Sequence, residues 1–319
     1  MKSKNILSAL VISAIVSAGC FAEDTSKVDL KLRLKTGESH EMKMTETQDA
    51  AVTTNGKEQK VKSSQETVMG LNVLSVDASG NMDVELVCRS IKMKVNGTTG
   101  NFEFDSANPK PVDSNRPDQR ISAALFSAMV GSKIQMKLKP TGELYDIRGL
   151  DAILAKIKEK IPEARKEGSD FYNLFSDENV KKMTGNMLGV FPAGPVAVGD
   201  NWHKTMNMNL GPFMPTDVNT TYTLKQCKDG IAYIDAAAKF STIDSSKTSV
   251  VHSNNRTSEQ SAGTIKSSME INEATGLTHR SNTTMNLSSE TKMAANQRMP
   301  QGMKILMTIQ GNEVVELIK

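Results

Sequence analysis

The chain is short of the residues that most enzymes and cofactor proteins depend on. Its 319 residues include three cysteines, four histidines and one tryptophan, with aromatics at 4%. With no CxxC spacing and no Cys/His cluster, the composition argues against zinc ribbons and fingers, which need four such ligands at close spacing. The histidines are His40, His203, His252 and His279. His252 lies in a polar stretch and His279 on a strand just after a turn, so both read as solvated rather than as the oriented base of a triad. GxSxG, HExxH, Walker and GxGxxG patterns in a supporting context are lacking too. Glu103 and Asp105 stand at strand spacing but alternate with Phe102 and Phe104, the mark of a wet strand face. Charge of one sign is also missing. The net charge of +3 offers no electrostatic footprint for nucleic acid, and no basic patch is laced with aromatics. The expectation is a protein that is not an enzyme, carries no cofactor and binds no nucleic acid.

What is present begins with a leader. Lys2 and Lys4 precede the apolar stretch Ile6–Val16, and small residues come after it. A charged start, a short apolar centre and a small-residue exit make residues 1–22 a bacterial-type secretory signal, too short for a permanent membrane helix. No later run is long and apolar enough to span a bilayer, so the expected location is the periplasm or the extracellular space. Two cleavage readings stand. Ser17-Ala18-Gly19-Cys20 resembles a lipoprotein signal, with Ser17 where leucine is preferred, and Cys20 would then be lipidated and anchor the chain. Cys20-Phe21-Ala22 also fits ordinary cleavage after Ala22. The latter leaves Cys88 and Cys227, which an oxidising compartment permits to pair; the alternative is two buried thiols on separate strands.

Beyond the leader, alternation dominates. Val28, Leu30, Leu32 and Leu34 sit two apart, the period of a half-buried strand, and Met82, Val84, Leu86 and Cys88 repeat it. Turn signals stand at Thr36-Gly37, Asp77–Asn81, Asn96-Gly97, Pro140-Thr141-Gly142, Asp229-Gly230 and Glu273–Gly276. Helical spacing takes over at Ile121, Ala124, Leu125, Ala128 and Met129, ending at Gly131. It returns over 150–161, where Ile153, Leu154, Ile157 and Ile161 form a stripe stopped by Pro162. A third helix is expected over 176–188, opened by Ser176-Asp177-Glu178. Residues 245–262 and 288–302 read as polar loops. The fold class is therefore α+β: about a dozen mainly antiparallel strands in a curved sheet or half-barrel, with two to three amphipathic helices inserted mid-chain. Residues 23–319 read as one domain, with a weak internal duplication between 27–148 and 200–319 and a helical insert at 150–190.

The segment Phe191-Pro192-Ala193-Gly194-Pro195-Val196-Ala197-Val198-Gly199-Asp200-Asn201-Trp202, with Leu138–Leu144 upstream and Tyr222-Thr223-Leu224 downstream, resembles the domain-of-unknown-function 6263 family of exported bacterial proteins. That resemblance implies an envelope location and supplies no catalytic residues. The residues themselves read as a tight turn at Pro195 and Gly199-Asp200, and a strand anchored by Trp202.

Two binding chemistries remain. His40, Met42 and Met44 share one strand face, as do Trp202, Met206 and Met208; thioether and imidazole suit Cu(I), though the same sets fit a Met-rich core. Methionine is unusually frequent, at 19, and repacks easily around flexible apolar ligands. The reading this favours is an exported, non-enzymatic envelope protein holding a lipid or other apolar ligand between sheet and helices. The alternative is a structural or protein-interaction module with a filled core.

Overall fold

The computed structural model describes residues 26–98, 100–111, 115–161, 189–209, 215–243, 256–293, 295 and 301–319. Its elements are β1 (Ser39–Thr54), β2 (Lys57–Val76), β3 (Met82–Gly97), β4 (Gly100–Asp105), α1 (Pro117–Met129), β5 (Lys133–Leu138) and β6 (Leu144–Arg148). After these come α2 (Leu150–Lys160), β7 (Asn201–Asn209), β8 (Pro215–Lys228), β9 (Ile231–Ile243), β10 (Arg256–Asn272), β11 (Thr278–Met293) and β12 (Met303–Leu317). The leader, both cleavage positions and the helix expected over 176–188 lie outside the described residues.

All twelve strands belong to one open sheet in the order β6-β5-β3-β2-β1-β12-β11-β10-β9-β8-β7, with β4 paired to β3. Every ladder is antiparallel. Two meanders thus meet where β1 pairs with β12, and β6 and β7 form the two edges. Local chemistry sets the hairpins. Asn55-Gly56 and Asp229-Gly230 take positive φ at both positions, the two-residue turn whose twist matches paired strands. At Asn96-Gly97 the chain turns later than expected: both residues still pair, with Asn101 and Gly100.

The Val28–Leu34 segment alternates as expected but is not a sheet strand. Its one bridge is Val28 to Val196. From there it runs across one end of the sheet as a strap. Leu32 N–H donates to Pro140 O at 2.8 Å and Arg33 N–H to Thr275 O at 2.9 Å. Those acceptors lie in the β5–β6 and β10–β11 turns, whose nearest strands, β5 and β11, are five strand spacings apart in the sheet order. A flat sheet would separate them by about 24 Å, whereas adjacent residues of the strap are only about 3.8 Å apart. The sheet is therefore strongly curled at this end. Leu30, Leu32 and Leu34 point into the enclosed space and are buried there.

Around the strap a single core gathers side chains from both meanders: Val73, Val84 and Met136 from one, Leu224, Ile234 and Ile271 from the other. Leu150, Ile153 and Ile157 of α2 close over it. Lys156 Nζ donates to Ser132 Oγ, which in turn donates to Ala128 O, fixing α2 against the end of α1.

Several loop expectations are overturned. Residues 256–262 belong to β10 and 288–293 to β11: in a sheet with one wet face polar residues do not break a strand. β12 runs unbroken through Gly311-Asn312, from Met303 to Leu317. Cys88 and Cys227 are not bridged. They occupy β3 and β8, seven positions apart in the sheet, Cys88 buried and Cys227 exposed. Burial pushes the Cys88 thiol up to about 11.

The strap and the two thiols each give a test. Gly276, at φ +73°, sits under the strap, and a Cβ there would lie 2.9 Å from Leu32 N and closer still to the Lys31 carbonyl. Gly276→Ala is expected to cost about 2–4 kcal/mol in urea unfolding, against about 1–2 kcal/mol for Gly230→Ala, whose Cβ meets open space. Equal costs would mean that the strap yields and does not hold the curl. In a chain starting after Ala22, one thiol, that of Cys227, should react with a disulfide reagent near pH 8, with Cys88 reacting only on unfolding.

Candidate functional site

Ladder registers assign every strand residue to one of two faces, since side chains alternate. One face carries the core and is here the inner face. The outer face is wet and charged: Lys43 and Arg280 both reach Glu316, Arg89 reaches Glu41, and Lys304 and Lys292 both reach Glu290.

The inner face has three zones along the strands. The first is the core beneath the strap and α2. The second is a polar belt, in which Gln65, Glu46, Glu313, Thr283 and Ser267 lie opposite one another on five successive strands from β2 to β10. Thr283 and Ser267 hydroxyls are 2.9 Å apart. Burial and the neighbouring Glu46 push the Glu313 carboxyl above its ordinary range.

Beyond the belt the inner face turns apolar again. Val95 and Phe102 face Ser63 of β2, and Val61 stands one step farther out. Ala50 and Val52 pair with Ile309 and Met307, and Ile309 pairs with Leu287. Val218, Ala238, Phe240 and Leu287 are buried together, with Ile265, Met307 and Ile309 half-buried against them. On the other side Phe104 meets Phe126 of α1, ring centroids 5.4 Å apart. This outer apolar floor extends across nine strands and is the candidate site. It exists because the strands are long: the 20 residues of β2 span about 66 Å, whereas α2, with 11 residues, covers only about 16 Å.

Phe240 lies over Gly263, where a Cβ would fall 2.8 Å from the ring's Cε2 and nearer still to Cζ. The glycine therefore makes room for the ring on the neighbouring strand and keeps the floor smooth. Two hollows, of about 570 and 530 Å3, open on the opposite face. The first lies over Ser241, Ala262, Ser288 and Thr308, and the second beside Ser64, Glu66, Lys92 and Lys94. The first is a trough left by short side chains on a wet surface, and the second is rimmed by charged groups already paired with one another, Glu103 with Lys94 and Lys110 and Glu66 with Lys92.

The residues singled out from sequence are spread over the sheet. His40, Met42 and Met44 share the inner face of β1, where Met42 lies opposite Met69 and Leu317. His40 Nε2 is 3.6 Å from Glu38. Trp202 is buried on β7, stacked on Tyr222 at 5.5 Å, and donates through Nε1 to Val190 O. Met206 and Met208 come next on β7, but their side chains lie outside the described residues. β1 and β7 are six positions apart in the sheet, so no ladder brings the two methionine sets together. Among the described residues, no three of His, Cys, Asp and Glu converge as metal ligands. His203 is exposed beside Thr221, and the Glu103 carboxylate is paired with Lys94 and Lys110.

The floor and the belt were not singled out from sequence. Ile305, Met307 and Ile309 carried the needed alternation, but their pairing with Ala50 and Val52 depends on a contact between the two ends of the chain. No local pattern announces such a contact.

Comparison with solved structures gives distant likenesses. A structure described as lipid–protein interactions in lipovitellin aligns with a TM-score of 0.44 at 8% identity, over 89% of this chain and 25% of that one. The chain thus spans about a quarter of that protein's length. Pseudomonas aeruginosa OccK7 (OpdD) aligns with a TM-score of 0.20 at 7% identity, over 89% of this chain and all of that one. The COG4313 outer membrane channel from Pseudomonas putida F1 aligns with 0.17 at 7% identity, over 90% and 98% of the two chains. No curated protein matches. The model of a family of unknown function, DUF6263, matches residues 79–278. That match takes in the turn after Gly199 with Trp202, α1 and α2, and the strands from β3 through β10, and it makes the chain a member of the DUF6263 family.

Proposed function

We propose that this is an exported, non-enzymatic envelope protein that holds a lipid or other apolar ligand on the inner face of its sheet, against the apolar floor beyond the polar belt. The observation that carries the reading is the second apolar zone itself. A protein that only needed a core would have no use for a further apolar surface of half-buried Ile, Val and Met on the same face, separated from the core by carboxyls and hydroxyls. Its side chains are flexible or branched aliphatics with few rings, a lining suited to acyl chains that bind in many conformations.

The place between sheet and α2 is occupied by Leu150, Ile153 and Ile157, so the ligand surface is assigned to the floor beside α1. That filled region is what favours the second reading, a structural or protein-interaction module. A membrane-spanning barrel needs an apolar outward band. Here the outward face carries Lys43, Glu316, Arg280 and Glu66, the reverse polarity. Residues 1–22 serve on this reading as the secretory leader, ending at Ala22 or before a lipidated Cys20. Residues 23–319 are then one domain of two related halves, a view supported by meanders that cross the sheet in the same sense, β7 to β12 and then β1 to β6.

Native mass spectrometry of the protein drawn gently from its own envelope should show added mass matching a lipid. A bare polypeptide there would favour the module reading. Binding of a fluorescent fatty acid should weaken at least about tenfold in Met307→Asp, because an ionised carboxylate on the floor must be desolvated by the ligand. Leu306→Asp is the matched control: Leu306 is 38% exposed on the outer face of the same strand, and its change should leave binding as it was. Equal effects of the two substitutions, with both variants folded by circular dichroism, would remove the floor as the site.

A further inference from the structure

The belt contains an arrangement the ligand reading does not use. Glu46 and Glu313 lie directly opposite each other in the β1–β12 ladder, on the inner face. Like charges in cross-strand register repel, and this ladder joins the first meander to the second. Elsewhere in the sheet carboxylates are neutralised across strands, as Glu316 is by Lys43 and Arg280. Glu46 and Glu313 receive no such partner: Gln65 faces them from β2, Thr283 from β11, and Gln48 and Val315 flank them along their own strands. None of these titrates.

We infer that Glu313, held directly opposite Glu46, makes the β1–β12 seam a proton-operated clasp, closed while Glu313 keeps its proton and loosened when it ionises. An ionised Glu313 faces like charge directly across the ladder, and no described side chain facing the pair supplies a positive charge. The direction of the Glu313 shift agrees: burial, then repulsion from Glu46, raise it. A carboxyl raised in the folded state holds its proton to higher pH than in the opened state. Its stabilisation is present in acid and lost as pH rises through the raised value. The seam therefore weakens with rising pH, opposite to a carboxylate paired with lysine. The clasp does not depend on the identity of anything bound on the floor.

The test is amide hydrogen exchange of the full mature chain, with wild type and Glu313→Gln compared at each pH from about 5 to about 8, a span starting just above the ordinary glutamate value. Comparison at equal pH cancels the intrinsic pH dependence of exchange. In β1 and β12 the ratio of wild-type to variant exchange should start near unity and climb with pH, by up to about tenfold per pH unit inside the titration window. In β9 and β10 it should stay flat. Glu46→Gln, which removes the opposing charge from the other strand and leaves the burial of Glu313 in place, should show a climb of its own that is shallower than the wild type's, and serves if Glu313→Gln does not fold. A flat ratio in β1 and β12, or a climb shared equally by β9 and β10, would overturn the clasp.

Discussion

Two successive amide hydrogen bonds, from Leu32 to Pro140 and from Arg33 to Thr275, set the shape of this molecule. Their acceptors belong to turns from different meanders, and an open sheet meets both only by curling. Once curled, it brings Val84 and Ile234 into the same core, although their strands are six positions apart. The three strap leucines fill the space the curl creates. Each contributes about 2 kcal/mol of apolar burial, which helps offset the entropy of ordering an extended segment with few ladder bonds of its own.

The remaining organisation comes from a mismatch of lengths. A strand advances about 3.3 Å per residue and a helix about 1.5 Å, so among the described residues α1 and α2 cannot cover strands of 16 to 20 residues. Strap and helices close one end. The other end keeps an inner face whose side chains the sequence leaves apolar, and that choice calls for a physical reason. An uncovered wet surface would carry Ser, Thr and Lys, as the outer face of the same strands does. Ile305, Met307 and Ile309 instead alternate with Lys304, Leu306 and Thr308. The two faces of one strand are thus under different demands, and the proposed apolar ligand would answer the inner one.

Much of this was legible in the residues. Alternation marked most strands, Asp229-Gly230 and Pro140-Thr141-Gly142 marked hairpins, and the stripe through Ile153 and Ile157 marked α2. The segment from Pro195 to Trp202 reads correctly as a tight turn and an anchor: Asp200 Oδ2 accepts from Ala197 N–H, and Gly199 takes φ +93°. Misreadings share one cause, which is that a local pattern does not reveal its partner. The strap alternates like a strand because it buries every second residue, yet its other neighbours are turns. The polar stretches at 256–262 and 288–293 look like loops because the face that would have declared them strands is thin in apolar residues there. Pairing between Glu46 and Glu313 joins residues near opposite ends of the chain, and single-sequence reading supplies no register between distant strands.

The belt also bears on how the two apolar zones behave. Apolar surfaces that touch merge into one core and melt together. A row of hydroxyls, amides and carboxyls between them, on the five strands from β2 to β10, interrupts that continuity. Burying the row under an extended helix would leave Glu46 and Glu313 without a counter-charge in a dry setting, which is far costlier than leaving them at a wet boundary. The belt therefore limits how far core packing can spread along the strands. An amphiphile laid along this face would have its chain on the floor and its polar end at the belt, where donors to Glu46 and Glu313 are favoured over acceptors. The carboxyl pair that weakens the seam in the empty protein would by the same electrostatics also select which headgroups the floor accepts.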